Sequence, residues 1–475
     1  MATTHCRLFW CLLLLLLLSS SVSSQTIVKT LPGFEGSLPF YLETGYIGVG
    51  EQDEIQLFYY FFKSERKPDE DPLVLWLPTD PGCSALSSIL YENGPIRFNY
   101  KNSSIQDKPV LELNIYSWTK VANVIFLDAP VGTGFSYSTV SSGYNTTDTK
   151  TVSNIYEFIR KWLVAHPEFL ENQLVIGGES YSGIIAPALV NKILKGNAAK
   201  DYPGLNIQTL VVGNPFTDVY YDINSRVKYA HRVALLSDDL YEQAEFNCHG
   251  EYLHPNKSNT ACVEDLEMIH RCLVDLNAAM ILENKCAAFS PRTQNLRWDL
   301  GSLGLNLTDS VFLEANPITY SRYCRNYNYL FAYLWANDEA VQEALNVRNG
   351  TIKHWERCNK SIAYTYDIKS SLHYYKSFFN AKLLRVLVYS GDHDLIIPHV
   401  GTEEWIASLN MTISADDEWR PWYVDGQVAG YTEIYKKDKF SITYATVKGA
   451  GHTAPEYKPK QCYNMIGRYL AYFFL

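Results

Sequence analysis

The sequence predicts an α/β protein with a largely parallel central sheet and an inserted cap. Three observations predict it. Short apolar runs at 73–77, 122–130, 172–178, 207–215, 384–392 and 441–452 have strand length and carry apolar residues on both faces. Val152, Ile155, Ile159, Trp162 and Leu163 recur at helical spacing between two of these runs, so a helix packs there on the sheet. The pattern then breaks between 216 and 345, where irregular helical segments, sequons and five cysteines (248, 262, 272, 286, 324) collect. Residues 25–215 and 346–475 therefore read as the core, and 216–345 as a cap pinned by disulfides. The stretch 288–317 reads as an exposed loop open to processing.

The N-terminus reads MATTHCRLFWCLLLLLLLSSSVSS. A basic residue, a short apolar run and small polar residues make residues 1–24 a secretory signal peptide. The apolar run is too short for a bilayer span, and no later stretch is long enough, so no membrane is expected after signal removal. The chain carries a formal charge of -10 and no basic stripe, which argues against nucleic acid and anionic surfaces as partners.

Eight cysteines remain after the signal: Cys83, Cys248, Cys262, Cys272, Cys286, Cys324, Cys358 and Cys462. An even number in a secreted chain points to disulfides. The tight Cys and His spacing of a zinc site is absent, so no metal and no other cofactor is expected. Sequons at Asn102, Asn145, Asn256, Asn306, Asn349, Asn359 and Asn410 predict a glycoprotein.

The chemistry-bearing stretch is LVIGGESYSG. It ends a strand candidate and opens a helix, and Gly178-Glu179-Ser180-Tyr181-Ser182-Gly183 is a variant of the G-x-S-x-G nucleophile elbow. The plain alternative is an ordinary Gly/Ser turn. In the elbow reading Ser180 is the nucleophile, and the helix N-terminus with the Tyr181 N–H faces the developing oxyanion. Two later strand ends supply the partners in the chain order of an α/β-hydrolase. VLVYSGDHDLIIP offers Asp394 as the acid, and VKGAGHTAP offers His452 as the base. Asp392, His393 and His399 are the competing residues.

These residues sit in a longer pattern. LPGFEGSLPFYLETGYIGV, LWLPTDPGCS, FLDAPVGTGFSYS, GGESYSG, YSGDHDLIIP and GAGHTAPEYKP together resemble the plant serine carboxypeptidase-like family over nearly the whole mature chain. The resemblance implies an α/β-hydrolase fold and a triad of Ser180, Asp394 and His452. It also implies disulfides Cys83–Cys324 and Cys248–Cys262, with Cys272–Cys286 as a further pair and Cys358 and Cys462 unassigned. The family holds peptidases and acyltransferases that use 1-O-β-D-glucose esters. Both pass through an acyl-serine and differ in whether water or an acceptor alcohol or amine arrives next.

In the peptidases the opening motif resembles N-G-G-P-G-C, whose Asn and first Gly hold a free carboxylate with the help of two glutamates. Here Pro78 and Thr79 stand in their place, and the glutamates match Glu92 and Glu179. Thr79, Glu92 and Glu179 are thus the candidate substrate-binding residues. Proline offers neither a side-chain donor nor an N–H. The stretch DINSRVKYAHRVALLSDDLYE (222–242) is similar to an acyltransferase-branch pattern, and its plain reading is a helix packing on the cap.

The resemblance therefore implies a vacuolar glycoprotein, or an extracellular one, that moves an acyl group from an acyl glucose to an acceptor. A serine carboxypeptidase is the alternative. Close carboxyls at Glu92 and Glu179 would share a proton, which predicts activity favoured at mildly acidic pH.

Asp80 complicates this. By position it supplies, with Tyr181, an oxyanion-hole N–H, which any non-proline residue can offer. If its carboxylate faces the site, unit charges about 4 Å apart at an effective dielectric near 20 repel by about 4 kcal/mol. If it points to solvent, the cost is small. A damaged hole gives a third reading, a poorly active companion of an active relative.

Overall fold

The computed structural model describes residues 25–103, 108–286, 325–379, 384–473 and 475. The signal segment, the 288–317 stretch, Asn306 and Cys324 lie outside the described residues.

The main sheet is built from β1 (Leu42–Val49), β2 (Ile55–Phe62), β3 (Leu73–Leu77), β4 (Asn123–Leu127), β5 (Leu174–Glu179), β6 (Ile207–Gly213), β7 (Arg385–Gly391), β8 (Arg420–Val424), β9 (Gln427–Lys437) and β10 (Phe440–Val447). Their spatial order is β1-β2-β4-β3-β5-β6-β7-β10-β9-β8, and the short strands Thr26–Ile27 and Tyr137–Ser138 join at one side. The run β4-β3-β5-β6-β7-β10 is parallel throughout. The flanking strands are antiparallel.

Each predicted apolar run falls on one of the six parallel strands. The cause is burial on both faces. Leu73, Leu75 and Leu77 of β3 point into one apolar cluster, and Val74 and Trp76 into the other. The first cluster is closed by α1 (Asp148–Ala165) and α2 (Ser182–Ala199), whose Ile155, Ile159, Trp162, Ile184 and Leu189 cover the sheet. Thr147 caps α1 by accepting the Lys150 N–H.

Strands β1 and β2 escape the sequence reading, and β1 contains Glu43. That carboxylate is buried and accepts from Tyr59 Oη at 2.7 Å and Tyr41 Oη at 2.9 Å, with His166 Nε2 at 2.9 Å. Three partners, Tyr41 from the adjoining chain and Tyr59 and His166 from further along it, make a charged position compatible with a buried strand.

Between β6 and β7 the chain forms α3 (Val219–Arg232), α4 (Asp238–Cys248), α5 (Thr260–Leu273) and α6 (Arg325–Ala336). Asp218, Ser237 and Asn259 cap the first three through their side chains. Leu236, Leu240, Ala244 and Ile269 give this region its own small apolar cluster. The segment after α5 also holds the core: Ala278 O accepts the Leu395 N–H at 2.9 Å, and Ala279 O accepts the His452 N–H at 2.8 Å.

The disulfides correct two expectations. Cys248–Cys262 forms as implied. Cys83, however, bonds to Cys358 and not Cys324. Residues 82–84 and 357–359 lie side by side, with Ser84 N donating to Arg357 O and Asn359 N to Gly82 O, both at 2.8 Å. Among the described residues Cys358 stands opposite Cys83. Cys272 is free and exposed on α5, while Cys286 is disulfide-bonded, so the Cys272–Cys286 pair does not exist. Cys462 is free and buried. Of the described sequons, Asn102, Asn145, Asn256, Asn349 and Asn410 are exposed. Asn359 is half-buried, and its Nδ2 donates to Gly132 O at 3.0 Å.

A non-reducing peptide map is expected to recover Cys83 linked to Cys358. Iodoacetamide is expected to alkylate Cys272 in the folded protein and Cys462 only after unfolding. A Cys83–Cys324 peptide would overturn the pairing.

Candidate active site

The six parallel strands bring five loops to one edge of the sheet. The loop after β3 carries Thr79 and Asp80, and the turn after β5 carries Ser180. The loops after β6, β7 and β10 carry Asn214, Asp394 and His452.

Ser180 has a positive φ of 55°. That conformation costs an L-residue roughly 1–2 kcal/mol, and the surroundings impose it. Ser180 N donates to Gly213 O at 3.0 Å, and Ser180 O accepts from Phe216 N at 2.8 Å. The turn needs small neighbours: a Cβ on Gly178 would lie 2.5 Å from Ser182 Cβ, and one on Gly183 would lie 2.5 Å from Phe216 O. The side chain thus stands at the head of α2, as the elbow reading requires.

His452 Nε2 lies 2.8 Å from Ser180 Oγ, and His452 Nδ1 lies 2.8 Å from Asp394 Oδ2. Asp394 is fully buried and accepts from Asn214 Nδ2 at 2.8 Å and Ile396 N at 2.7 Å. The competing residues do other work. Asp392 accepts the Gly449 N–H at 2.6 Å and sits 2.6 Å from His393 Nδ1, tying the β7 loop to the β10 loop. His399 is held down to about 4 by burial and stays neutral.

Burial by itself would lower the His452 pKa. The charge of Asp394, its hydrogen bond, and then the charge of Asp80 overcome burial and hold it above the ordinary value. Asp80 is half-buried, and its charge is felt both by His452 and by Tyr366. Its carboxylate therefore lies within electrostatic reach of the site.

The backbone beside Asp80 departs from the expected oxyanion hole. Tyr181 N donates to Thr79 O at 2.8 Å. The carbonyl of the Thr79–Asp80 peptide therefore occupies the donor that an oxyanion would use. In a planar trans peptide the N–H points opposite to the C=O, so the Asp80 N–H faces away from Tyr181. Neither expected donor is presented to a substrate in this arrangement. The loop is anchored on both sides of that peptide. Ser182 Oγ donates to Pro78 O at 2.6 Å, and Gly82, at φ 92°, leaves 2.2 Å between a would-be Cβ and Asn359 O. Asp80 itself does not have a positive φ, so it bears no backbone strain.

Glu92 and Glu179 are both buried, and Glu179 directly precedes Ser180. Tyr389 Oη donates to Glu179 Oε1 at 2.8 Å, while Oε2 of each glutamate has no partner among the described residues. Burial pushes Glu92 up to about 7, and burial together with the charge of Glu92 pushes Glu179 well above the carboxylate range. The charge of Glu92 thus acts on Glu179, so the two carboxyls titrate in a linked way.

The sequence reading missed three contributors. Asn214 steadies Asp394. Asp148, at the start of α1, accepts from Tyr181 Oη at 2.9 Å and Tyr364 Oη at 2.8 Å, fixing the residue after the nucleophile. Glu456, four residues after His452, accepts from Tyr329 Oη at 2.9 Å and pairs with Arg325 at 3.3 Å. Its only signal was its place within GAGHTAPEYKP.

Unfolding releases a proton from Glu92 between the ordinary carboxylate value of 4.5 and about 7, and from Glu179 above that ordinary value. The folded pKa values are raised, so the pair's contribution to stability is complete below the unfolded value and is lost as pH rises through the folded one. Thermal denaturation between about pH 5 and about pH 7.5 should show Tm falling, with a shallower fall in Glu179→Gln. Equal slopes in the two proteins would refute the pair.

Comparison with known proteins agrees with this architecture. A family model described as serine carboxypeptidase matches residues 32–472. The chain is 44% identical over 460 residues to serine carboxypeptidase-like 7 of Arabidopsis thaliana, covering 96% of each. It is 45% identical over 460 residues to serine carboxypeptidase-like 17 of the same plant, again covering 96% of each. Among solved structures it superposes on the prohormone-processing carboxypeptidase Kex1(delta)p of Saccharomyces cerevisiae with a TM-score of 0.67, covering 91% of each chain. At 19% identity that likeness speaks to the fold alone.

Proposed function

The chain belongs to the serine carboxypeptidase family, and from that premise we propose that it transfers an acyl group from a 1-O-β-D-glucose ester to an acceptor alcohol or amine. Ser180 Oγ attacks the ester carbonyl while its proton passes to His452 Nε2. Collapse of the tetrahedral intermediate breaks the bond to glucose, and the proton on His452 goes to the departing glucose oxygen. The acceptor then gives its proton to His452 and attacks the acyl-serine, and the same proton returns to Ser180 Oγ. Asp394 holds the imidazole in the required tautomer.

The observation that carries transfer over peptidase action is at Pro78. It is buried, its carbonyl is engaged by Ser182, and it has no donor for a free carboxylate. Glu92 and Glu179 remain to hold a hydroxyl or carboxyl group when protonated, which favours mildly acidic conditions. The disulfides and exposed sequons fit the secretory pathway, with the vacuole lumen as our proposed destination and the extracellular space as the alternative.

Catalysis requires the Thr79–Asp80 peptide to turn over when donor binds, so that the Asp80 N–H joins the freed Tyr181 N–H at the oxyanion. The flip drives φ of Asp80 toward the positive region that glycine occupies freely and aspartate less so. Aspartate thus biases the loop toward the closed form and places a charge near the oxyanion. The same observation favours the second reading, a weakly active companion of an active relative.

Fluorophosphonate labelling of the glycosylated mature protein, with Ser180→Ala as control, separates the two. Labelling at Ser180 is expected, and Asp80→Gly should accelerate it by about tenfold to a thousandfold, through backbone freedom and loss of charge. No labelling of either folded protein would sink the catalytic reading and leave the companion. Acyl glucoses should then release glucose in the presence of an acceptor. Turnover of blocked dipeptides without glucose release would replace transferase by peptidase.

A further inference from the structure

The stretch DINSR at 222–226 begins on α3, outside the catalytic loops. Three of its polar side chains act locally. Asp222 accepts the N–H groups of Thr217 and Asp218 at 2.7 and 2.9 Å, fixing the turn after β6. Asn224 accepts the N–H groups of Tyr252 and Leu253 at 2.8 and 2.9 Å. Ser225 Oγ donates to Asp222 O at 3.0 Å. Arg226 reaches 170 residues along the chain. Its Nε and Nη2 both donate to Ile396 O, at 3.0 and 2.7 Å.

We propose that Arg226 is a positioning residue for the triad: its guanidinium grips the Ile396 carbonyl and thereby holds the Asp394 carboxylate against His452. The proposal rests on Ser180, His452 and Asp394 being the reacting set. The mechanical link is short. Ile396 donates its own N–H to Asp394 Oδ1 at 2.7 Å, so one residue is held at its carbonyl by Arg226 and at its amide by the acid. Leu395, between them, is tied through its N–H to Ala278 O at 2.9 Å. Arg226 and the segment after α5 thus pin the acid loop from two directions.

The guanidinium also acts by charge. It sits within the fields of Asp394 and Asp222, and it opposes the proton affinity that Asp394 and Asp80 confer on His452. Glu92 is the further charged neighbour of His452. On the other side, Asp394 acts on Glu179, Tyr229, His399 and Tyr457. Removing the positive charge should therefore raise the titration midpoint of His452, and removing the grip should slow attack by Ser180.

The midpoint can be read without turnover, from NMR titration of the low-field His452 Nδ1 proton, assigned by its loss in His452→Gln. Arg226→Gln keeps a donor and removes the charge. It should move the midpoint to higher pH and lower the fluorophosphonate labelling rate by about tenfold or more. Arg226→Lys keeps the charge with a single donor. It should leave the midpoint in place and recover part of the rate. Asn224→Ala loosens the same helix away from the acid loop and should leave the midpoint unchanged.

An unshifted midpoint in Arg226→Gln overturns the proposal, and so does an equal shift in Asn224→Ala. If Arg226→Gln does not fold, Arg226→Lys decides: an unmoved midpoint with a reduced rate supports the proposal, and a moved midpoint overturns it. Absence of labelling in every folded protein would refute the catalytic reading. The titration would still read the placement of Arg226.

Discussion

Parallel pairing of the strands is the constraint on which the site depends. In a parallel sheet every C-terminal end lies on the same edge, so loops distant in sequence are delivered to one place. Ser180 and His452 are 272 residues apart, yet their side chains meet at 2.8 Å. The register of β5 on β6 and of β7 on β10 sets that meeting. Each of these strands is apolar on both faces, so a one-residue slip would not be corrected by solvent. Packing of β3 into two apolar clusters and the covering helices hold the register.

Buried charge is handled in two ways around this edge. Asp394 is satisfied: two neutral donors and His452 surround a carboxylate with no exposure. Glu92 and Glu179 are not, and burial turns them toward the protonated form. The first arrangement keeps an anion fixed beside the histidine. The second supplies donors in mild acid and repulsion at higher pH. Arg226 and Glu456 extend the same logic outward, each linking the edge that carries the site to a helix between β6 and β7 through charge-assisted contacts.

The loop after β3 shows how a single substitution is read through its peptide. The charge of Asp80 is felt at His452. The larger consequence is the direction of the preceding carbonyl. Thr79 O on Tyr181 N closes the hole by one hydrogen bond. The anchors at Pro78, Gly82 and Cys83–Cys358 leave this peptide as the element free to turn. In the proposed mechanism the equilibrium of this one peptide plane sets the rate.

The parallel core, the α1 stripe, the elbow and the order Ser180, Asp394, His452 were legible because each rests on local pattern. Apolar runs mark buried strands, helical spacing marks a packed face, and small residues around a serine mark a sharp turn. The flanking strands were less legible, and in β1 the buried Glu43 relies on Tyr59 and His166 from further along the chain. Tertiary structure alone decided which cysteine faces Cys83, because the neighbour across an isolated bridge cannot be read from spacing. It alone turned the Thr79 carbonyl inward and brought Arg226 to Ile396. Those are choices of direction and of contact between residues far apart in the chain, 170 apart for Arg226 and Ile396 and 275 apart for Cys83 and Cys358. A sequence fixes what each side chain can do; the packed chain fixes what each one faces.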